Sequence, residues 1–539
     1  MALDEPDQIE ISTEELEALL GRVRSVLTEE DYQKLAAVVR TLGYVTKLLE
    51  NREATLDTLR RLLCRSSTEK TAHVLKQAGI ETENQTRRLP KQRTANQPTA
   101  GHGRNGAARY RGAEKITVPH ASLKTGDRCL DSLCGGKVYP LRQPGVLVRI
   151  RGQAPVAATV YELEKLRCNL CQKVFTADAP EEAGEKKYDE TAAAMIALLR
   201  YGSGFPWYRL KGLEAGLGIP LPVATQCEIV AETAPTFLPA LEELIRQAAE
   251  GEVMHNDDTS MRVLSLGRNR GSDSEVSPER TGVFTSGIVS IRGGRRIALF
   301  FTGRKHAGEN LADVLERRPQ GLSPPIQMCD ALSRNLPKSL QVIVAHCLAH
   351  GRRNFVEVIA NFPAECRFVL ETLAEVYGYD EQAREQGMSP EERLRFHQEH
   401  SAPVMEKLHT WLNAQSADNN VEPNSGLGKA ISYLLRYWER LTLFLRQAGT
   451  PLDNNIVERG LKKAILHRKN SLFYKTRNGA RMGDLFMSLI HTCELNGANP
   501  FDYLTELQRH ADELKANPAD WMPWNYPETL LRLTASPAA

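Results

Sequence analysis

Three carboxylates stand in runs whose residue types could do chemistry: Asp257 in HNDDTSMRVL, Asp330 in IQMCD and Glu458 in LDNNIVERGLKKAILHRKN. Local pattern puts Asp257 on a strand, Asp330 at or just after a strand end, and Glu458 on a helix. Hard oxygen donors delivered in this way suit a site for two divalent cations, and the chemistry of such a site is phosphoryl transfer on DNA. Each acid also has an ordinary role. Asp257 or Asp258 could form a turn, Asp330 could cap a helix, and Glu458 could pair with Lys462 one turn on. Only their joint occurrence points to catalysis.

Other groups with chemical potential are spread along the chain. Cys129 and Cys134 in CLDSLCGG, with Cys168 and Cys171 in CNLC, form two pairs with strand-like sequence between them. The second pair has the spacing of a zinc knuckle, so a structural zinc ribbon with four thiolate ligands is expected, closed to water. His346 and His350 are four apart with Cys347 between them, but no acidic or third ligand accompanies them in sequence. Arg352 and Arg353 follow, at the start of a helix where phosphate contact is expected. Arg459, Lys462, Lys463, Arg468 and Lys469 surround or follow Glu458 and are candidates for holding a DNA end; a solvated helix face is the competing explanation.

The elements that must position these groups follow from periodicity. Alternating and β-branched residues give strands at about 252–266, 282–291 and 296–302, the last two joined by a Gly293-Gly294 hairpin turn. A helix is expected at about 306–317, a strand ending at Asp330, and a strand at VIVAHC running into a helix at AHGRRNFVEVI. Strands first and alternating helices later suggest a mixed sheet covered on both sides. The 127 residues between Asp330 and Glu458 are mainly helical in pattern, so a helical insertion at about 355–450 is expected within a catalytic unit at 251–480. A helical region at 481–539 closes the chain.

Upstream, leucine recurs every seventh residue at Leu35, Leu42, Leu49, Leu56 and Leu63, which predicts a self-pairing coiled coil within 1–66, with an amphipathic helix packed on its own protein as the competing reading, kept open by Gly43 and Arg52. Between Arg87 and Lys115 there are eight Lys or Arg and one acid, Glu114, marking a basic linker at 67–122. Such a stretch can track a phosphate backbone or serve as a solvated tether. The zinc ribbon occupies 123–180, and 181–250 reads as helices broken at Gly216 and Gly218, either a helix-turn-helix or a lead-in packed on the next unit.

Composition limits the choices. With 539 residues the chain exceeds one compact core, and 69 basic against 67 acidic residues exclude a uniformly cationic DNA coat. No stretch approaches 18 consecutive apolar residues and the start MALDEPDQIEIS is acidic, so a cytoplasmic protein with no membrane partner is expected. Ten cysteines in so long a chain do not indicate a disulfide scaffold.

HNDDTSMRVL, AHCLAHGRRNFVE, LDNNIVERGLKKAILHRKNSLF and SLIHTCELNGANPFDYL, in this order, resemble the large transposase subunit of the insertion-sequence sixty-six family. The likeness spans nearly the whole chain. It implies a ribonuclease-H-like α/β core with a DDE triad of Asp257, Asp330 and Glu458, using Mg²⁺ or Mn²⁺. It further implies cleavage of the ends of a bacterial insertion sequence, joining of the 3′-hydroxyls to target DNA, and small accessory proteins encoded by the same element. A homo-oligomer is expected because two ends must be processed together. The chain departs from the family in three places. Cys129 and Cys134 are farther apart than usual, Asp258 stands where Glu is common, and Ala331-Leu332-Ser333 follow Asp330 in place of Gly and Tyr. The choice between Asp257 and Asp258 as first acid therefore stays open. Two rival readings are an inactive DNA-binding relative and a nuclease of the same fold without strand transfer.

Overall fold

The computed structural model describes residues 154–167, 174–268, 280–337, 340–417 and 421–535, with a few isolated positions before residue 140. The leucine heptads at 35–63, the basic stretch at 87–115 and Cys129, Cys134, Cys168 and Cys171 lie outside the described residues. Residues 1–83 form a unit of their own, in which Tyr32, Thr71, Val74 and Leu75 are described and helical. In the second unit, Lys165–Arg167 (β1) pairs antiparallel with Val174–Thr176 (β2). Of the strand-like sequence before Cys168, only these three residues form a strand among the described residues.

Helices α1 (Glu190–Ala197), α2 (Trp207–Gly216) and α3 (Val223–Ala248) precede the main sheet. Asp189 caps α1 through Ala192 N at 2.8 Å. Along α3, Ile229, Val230, Phe237, Ala240 and Leu244 are buried in the same hydrophobic core as the sheet. The long third helix is therefore committed to packing by its apolar stripe.

The sheet runs in the order β5-β4-β3-β6-β7, where β3 is Val253–Ser260, β4 Phe284–Arg292, β5 Arg295–Gly303, β6 Ile326–Cys329 and β7 Ile343–His346. β3, β4 and β5 are antiparallel neighbours, while β6 and β7 run parallel to β3. Gly293 (φ 53°) and Gly294 (φ 82°) make the β4–β5 turn, where two consecutive positive φ values favour glycine. β3 ends at Ser260, earlier than its alternation suggests. The chain leaves the sheet there because Val263 bridges to Tyr474 and Leu264 N donates to Tyr474 O at 2.9 Å.

The faces of the sheet are fixed by register. Gly287, opposite Asp257, lies beneath Val457 and Leu461 of the helix at Asn455–Ser471, either of which a Cβ at that glycine would meet at 3.1 Å. Ser286, opposite Asp258, accepts from Asn310 Nδ2 at 2.8 Å, on α4 (Ala307–Leu315). Cross-strand partners share a face and successive residues alternate, so Asp257 and Asp258 point to opposite sides.

After β7 come α5 (Leu348–Val358) and the helices α6 (Pro363–Glu385), α7 (Pro390–Phe396), α8 (Ala402–Ala417) and α9 (Gly426–Arg436). Helix α10 (Asn455–Ser471) then returns to the sheet and α11 (Arg477–Asn496) covers its β5 edge. The edge is sealed by side chains. N–H groups of Arg296, Ala298, Phe300 and Thr302 donate to Asn496, Thr492, Ser488 and Asp484. Two residues of strand and four of helix both advance roughly 6 to 7 Å, so each outward N–H meets one polar side chain of the helix. This explains polar residues every fourth position in an otherwise buried helix.

Candidate active site

Asp257 sits mid-strand on β3, Asp330 immediately follows β6, and Glu458 lies in the first turn of α10. The fold brings the three together from sequence separations of 73 and 128 residues. Asn335 connects two of them: its Nδ2 donates to Asp330 Oδ1 at 2.5 Å and lies 3.4 Å from Asp257 Oδ1. Burial, reinforced by the charges of Asp330, Asp258 and Glu458, pushes the Asp257 carboxyl up to about 7, although Asp258 N–H donates to it at 2.8 Å. Acids packed in this way repel one another unless a cation or proton intervenes.

Asp258 is engaged elsewhere. Its side chain is 1% exposed, with Oδ2 at 2.9 Å from His306 Nδ1 and Oδ1 at 3.2 Å from Arg334 Nη2, on the α4 side of the sheet. Of the two neighbouring acids, Asp257 is therefore the one on the Glu458 side.

A buried amide network holds the frame. Asn256, Gln327, Asn335 and Asn454 are each fully buried. Asn256 Nδ2 and Gln327 Nε2 both donate to Asn335 O at 2.7 Å, and Gln327 Nε2 also reaches Asn256 Oδ1 at 2.8 Å. Asn454 Nδ2 donates to Asn256 O at 3.0 Å, its Oδ1 is 3.1 Å from His255 Nδ1, and its backbone N donates to Cys347 Sγ at 3.2 Å. The start of the Glu458 helix is thereby tied to the Asp257 strand and to the head of α5. None of these amides was singled out in the sequence. The signal for Asn256 and Asn454, NDD and DNN beside the acids, reads equally well as turn sequence.

Histidine and cysteine complete the surroundings. His350 Nδ1 lies 3.7 Å from Glu458 Oε1 and Arg353 Nη2 3.8 Å from Oε2. Donor atoms of Cys347, His350 and Glu458 all fall within 4.8 Å of one another. This corrects the sequence reading that no acid accompanies the histidines: Glu458 does, from 108 residues away. His346 does not join, because it ends β7 and packs edge-on against Tyr437 with Arg440 Nη1 at 3.4 Å. Burial, with Arg440 adding to it, pulls the His346 imidazole down to about 4.

The residues present fit a divalent cation. The carboxylates are hard donors, the Asp257 carboxyl is held up to about 7 by burial and neighbouring acids, and Glu458 Oε1 is a buried oxygen with no hydrogen-bond partner. Asp257, Asp330 and Glu458 could hold hard cations such as Mg²⁺ or Mn²⁺, and Cys347 with His350 offers softer donors on the Glu458 side.

The candidate DNA-binding cations divide in two. Arg459, Lys462 and Lys469 are exposed on α10. Arg352 is buried, Arg353 faces Glu458, Lys463 pairs with Glu494 at 2.8 Å, and Arg468 holds Ser260 Oγ at 2.5 Å and Thr259 Oγ1 at 3.3 Å. The last two groups brace α10 against α11 and the end of β3. Among the described residues no helix is long and apolar enough to cross a membrane.

Comparison with known proteins places the chain in a family. The chain is 29% identical to the uncharacterized protein y4jD of Sinorhizobium fredii over 356 residues, covering 63% of this chain and 66% of that protein. It is 26% identical to y4hP of the same organism over 388 residues, covering 67% of each. It spans about two thirds of the length of these relatives, whose names state no activity. The family model described as Transposase IS66 family matches residues 186–482, from the start of the helical lead-in to α11. The chain therefore belongs to the IS66 transposase family.

Proposed function

We propose that this protein is a DDE transposase that cuts the ends of an insertion sequence and joins them to target DNA. The observation that carries this reading is the convergence of Asp257, Asp330 and Glu458, with the Asp257 carboxyl raised by burial and by the other acids. The strand order, with β3 central, two antiparallel strands on one side and two parallel ones on the other, supports a ribonuclease-H-like core.

In this reading the three carboxylates bind the divalent cations. Bound there, the cations supply charge neutralisation and activation of the attacking oxygen. Asn335 orients Asp330 toward Asp257, and the amide network keeps α10 in register with β3. Arg459, Lys462 and Lys469 meet DNA phosphates as exposed cations. Water attacks the phosphodiester at each element end, the bond to the 3′ oxygen breaks, and a 3′-hydroxyl leaves with the proton. That hydroxyl next attacks a target phosphodiester in line, displacing a target 3′-hydroxyl, with no covalent link to the protein. The leucine heptads serve to pair two copies, the four cysteines bind zinc, and accessory proteins of the same element assist.

The test is incubation of the full chain with DNA carrying the element's own ends and Mg²⁺. The expected result is 3′-end cleavage and joined products, both absent from Asp330→Ala and Glu458→Ala. Cleavage without joining would favour a nuclease, and binding without either would favour an inactive relative.

A further inference from the structure

A cleft of about 490 Å³ opens beside Asp330, between it and the face of α9 that carries Lys429, Tyr433 and Arg436, with Tyr437 just beyond the helix and Arg353 opposite. Helix α9 is two-faced. Leu427, Ala430, Ile431 and Leu434 are buried, whereas Lys429, Tyr433 and Arg436 are spaced to share the other side. Lys429 and Arg436 are exposed and form no ion pair with an acid among the described residues. The aromatic pair is braced: the Tyr433 and Tyr437 rings lie 5.1 Å apart at 63°, and the Arg436 guanidinium sits 5.4 Å from the Tyr437 centroid. On its other side Tyr433 packs against α5 at Gly351, where a Cβ would meet its ring at 3.6 Å.

Cations at the rim, two held aromatic rings and a carboxylate of the acidic site make an unusual combination. Its size falls within the roughly 300–1,000 Å³ of pockets for small molecules and excludes a duplex. Positive side chains at a cleft next to an acidic cluster favour phosphate, and tyrosine faces or edges favour a base taken out of its stack. We infer that this cleft receives one unpaired nucleotide of the DNA adjoining the phosphodiester at the acidic site. Its base lies against Tyr433 and Tyr437, and its phosphate meets Lys429 and Arg436. The assignment rests on the transposase reading and deepens it: the strand flanking the cut is opened by one nucleotide, and the helices inserted before α10 supply the receptor for it.

The experiment is a cycle of protein and DNA changes, read as end cleavage by the full chain in Mg²⁺. Abasic sites are placed singly at each of the nucleotides flanking the cut, on both strands. Tyr433→Leu is expected to slow cleavage of the natural end by roughly tenfold or more, the effect of one stacked base. At one abasic position variant and wild type are expected to cleave at the same rate, because no base remains to stack. Tyr437→Leu serves as the second variant should Tyr433→Leu fold poorly, and is expected to give the same pattern at the same nucleotide. Arg436→Ala, at an exposed position, is expected to slow natural and abasic DNA alike, since the phosphate is present in both. Equal slowing of natural and abasic DNA by both tyrosine variants at every position, or no slowing at all, would overturn the pocket while leaving the transposase reading intact. Wild-type protein that cleaves none of these DNAs would overturn the transposase reading itself, and the pocket with it.

Discussion

Replacing Asp257 by asparagine is expected to make the cation-free protein more stable, the opposite of what a substitution at a buried position usually does. The Asp257 carboxyl is raised to about 7 by burial first and by Asp330, Asp258 and Glu458 next. The folded protein thus holds a proton between about pH 4 and 7 that the unfolded chain has released. The stability tied to this group is fully present below the ordinary carboxylate range and is lost as pH rises through about 7. Holding a proton to about pH 7 rather than 3.8 corresponds to about 4 kcal/mol. Asparagine mimics the protonated acid and escapes this penalty. The gain of Asp257→Asn over wild type should therefore grow from under about 2 kcal/mol at pH 5 to about 4 kcal/mol at pH 8. The assay is urea unfolding in EDTA, followed by tryptophan emission, at both pH values and again with Mg²⁺. Mg²⁺ should stabilise wild type and leave the variant unmoved. A variant no more stable than wild type at pH 8 in EDTA would mean that Asp257 is not held among uncompensated acids.

Three further outcomes are expected. A Cβ at Gly308 would lie 2.4 Å from Leu336 O and 2.7 Å from Arg334 O, so Gly308→Ala must displace the turn bearing Asn335, costing about 1–3 kcal/mol in urea unfolding and lowering end cleavage. Asp484, whose carboxyl is buried and pushed up to about 8, contributes stability that is present below pH 4 and lost as pH rises through 8; Asp484→Asn should gain on wild type between pH 6 and 9 in thermal melts, and a constant difference would contradict this. Zn²⁺ should inhibit Mg²⁺-dependent cleavage by drawing Glu458 to Cys347 and His350, and the Cys347→Ala, His350→Ala double variant should need at least about tenfold more Zn²⁺ for half inhibition.

Much of the core is legible in sequence because its signals are local. Alternation gives β4 and β5, glycine at consecutive positive φ gives their turn, and the apolar stretch before Asp330 gives β6. The acids stand out by type. What separates Asp257 from Asp258 is register: only the pairing of Asp257 with Gly287 and of Asp258 with Ser286 tells which faces α10 and which faces α4. The amide network is hidden for a different reason. Asn256, Asn335 and Asn454 are residues of turns by propensity, and their burial depends on partners up to 199 residues away. The meeting of Cys347 and His350 with Glu458 likewise follows from how the intervening helices return the chain to the sheet, which no spacing rule encodes.

The most direct measurement is end cleavage in Mg²⁺ by Asp257→Asn beside Asp258→Asn, each rate corrected for the fraction folded. The two acids are adjacent in sequence and differ in which side of β3 they occupy. The expected result is a loss of at least roughly a hundredfold for Asp257→Asn and a much smaller loss for Asp258→Asn. Equal losses, or a greater loss at Asp258, would contradict the assignment of Asp257, Asp330 and Glu458 to one catalytic site.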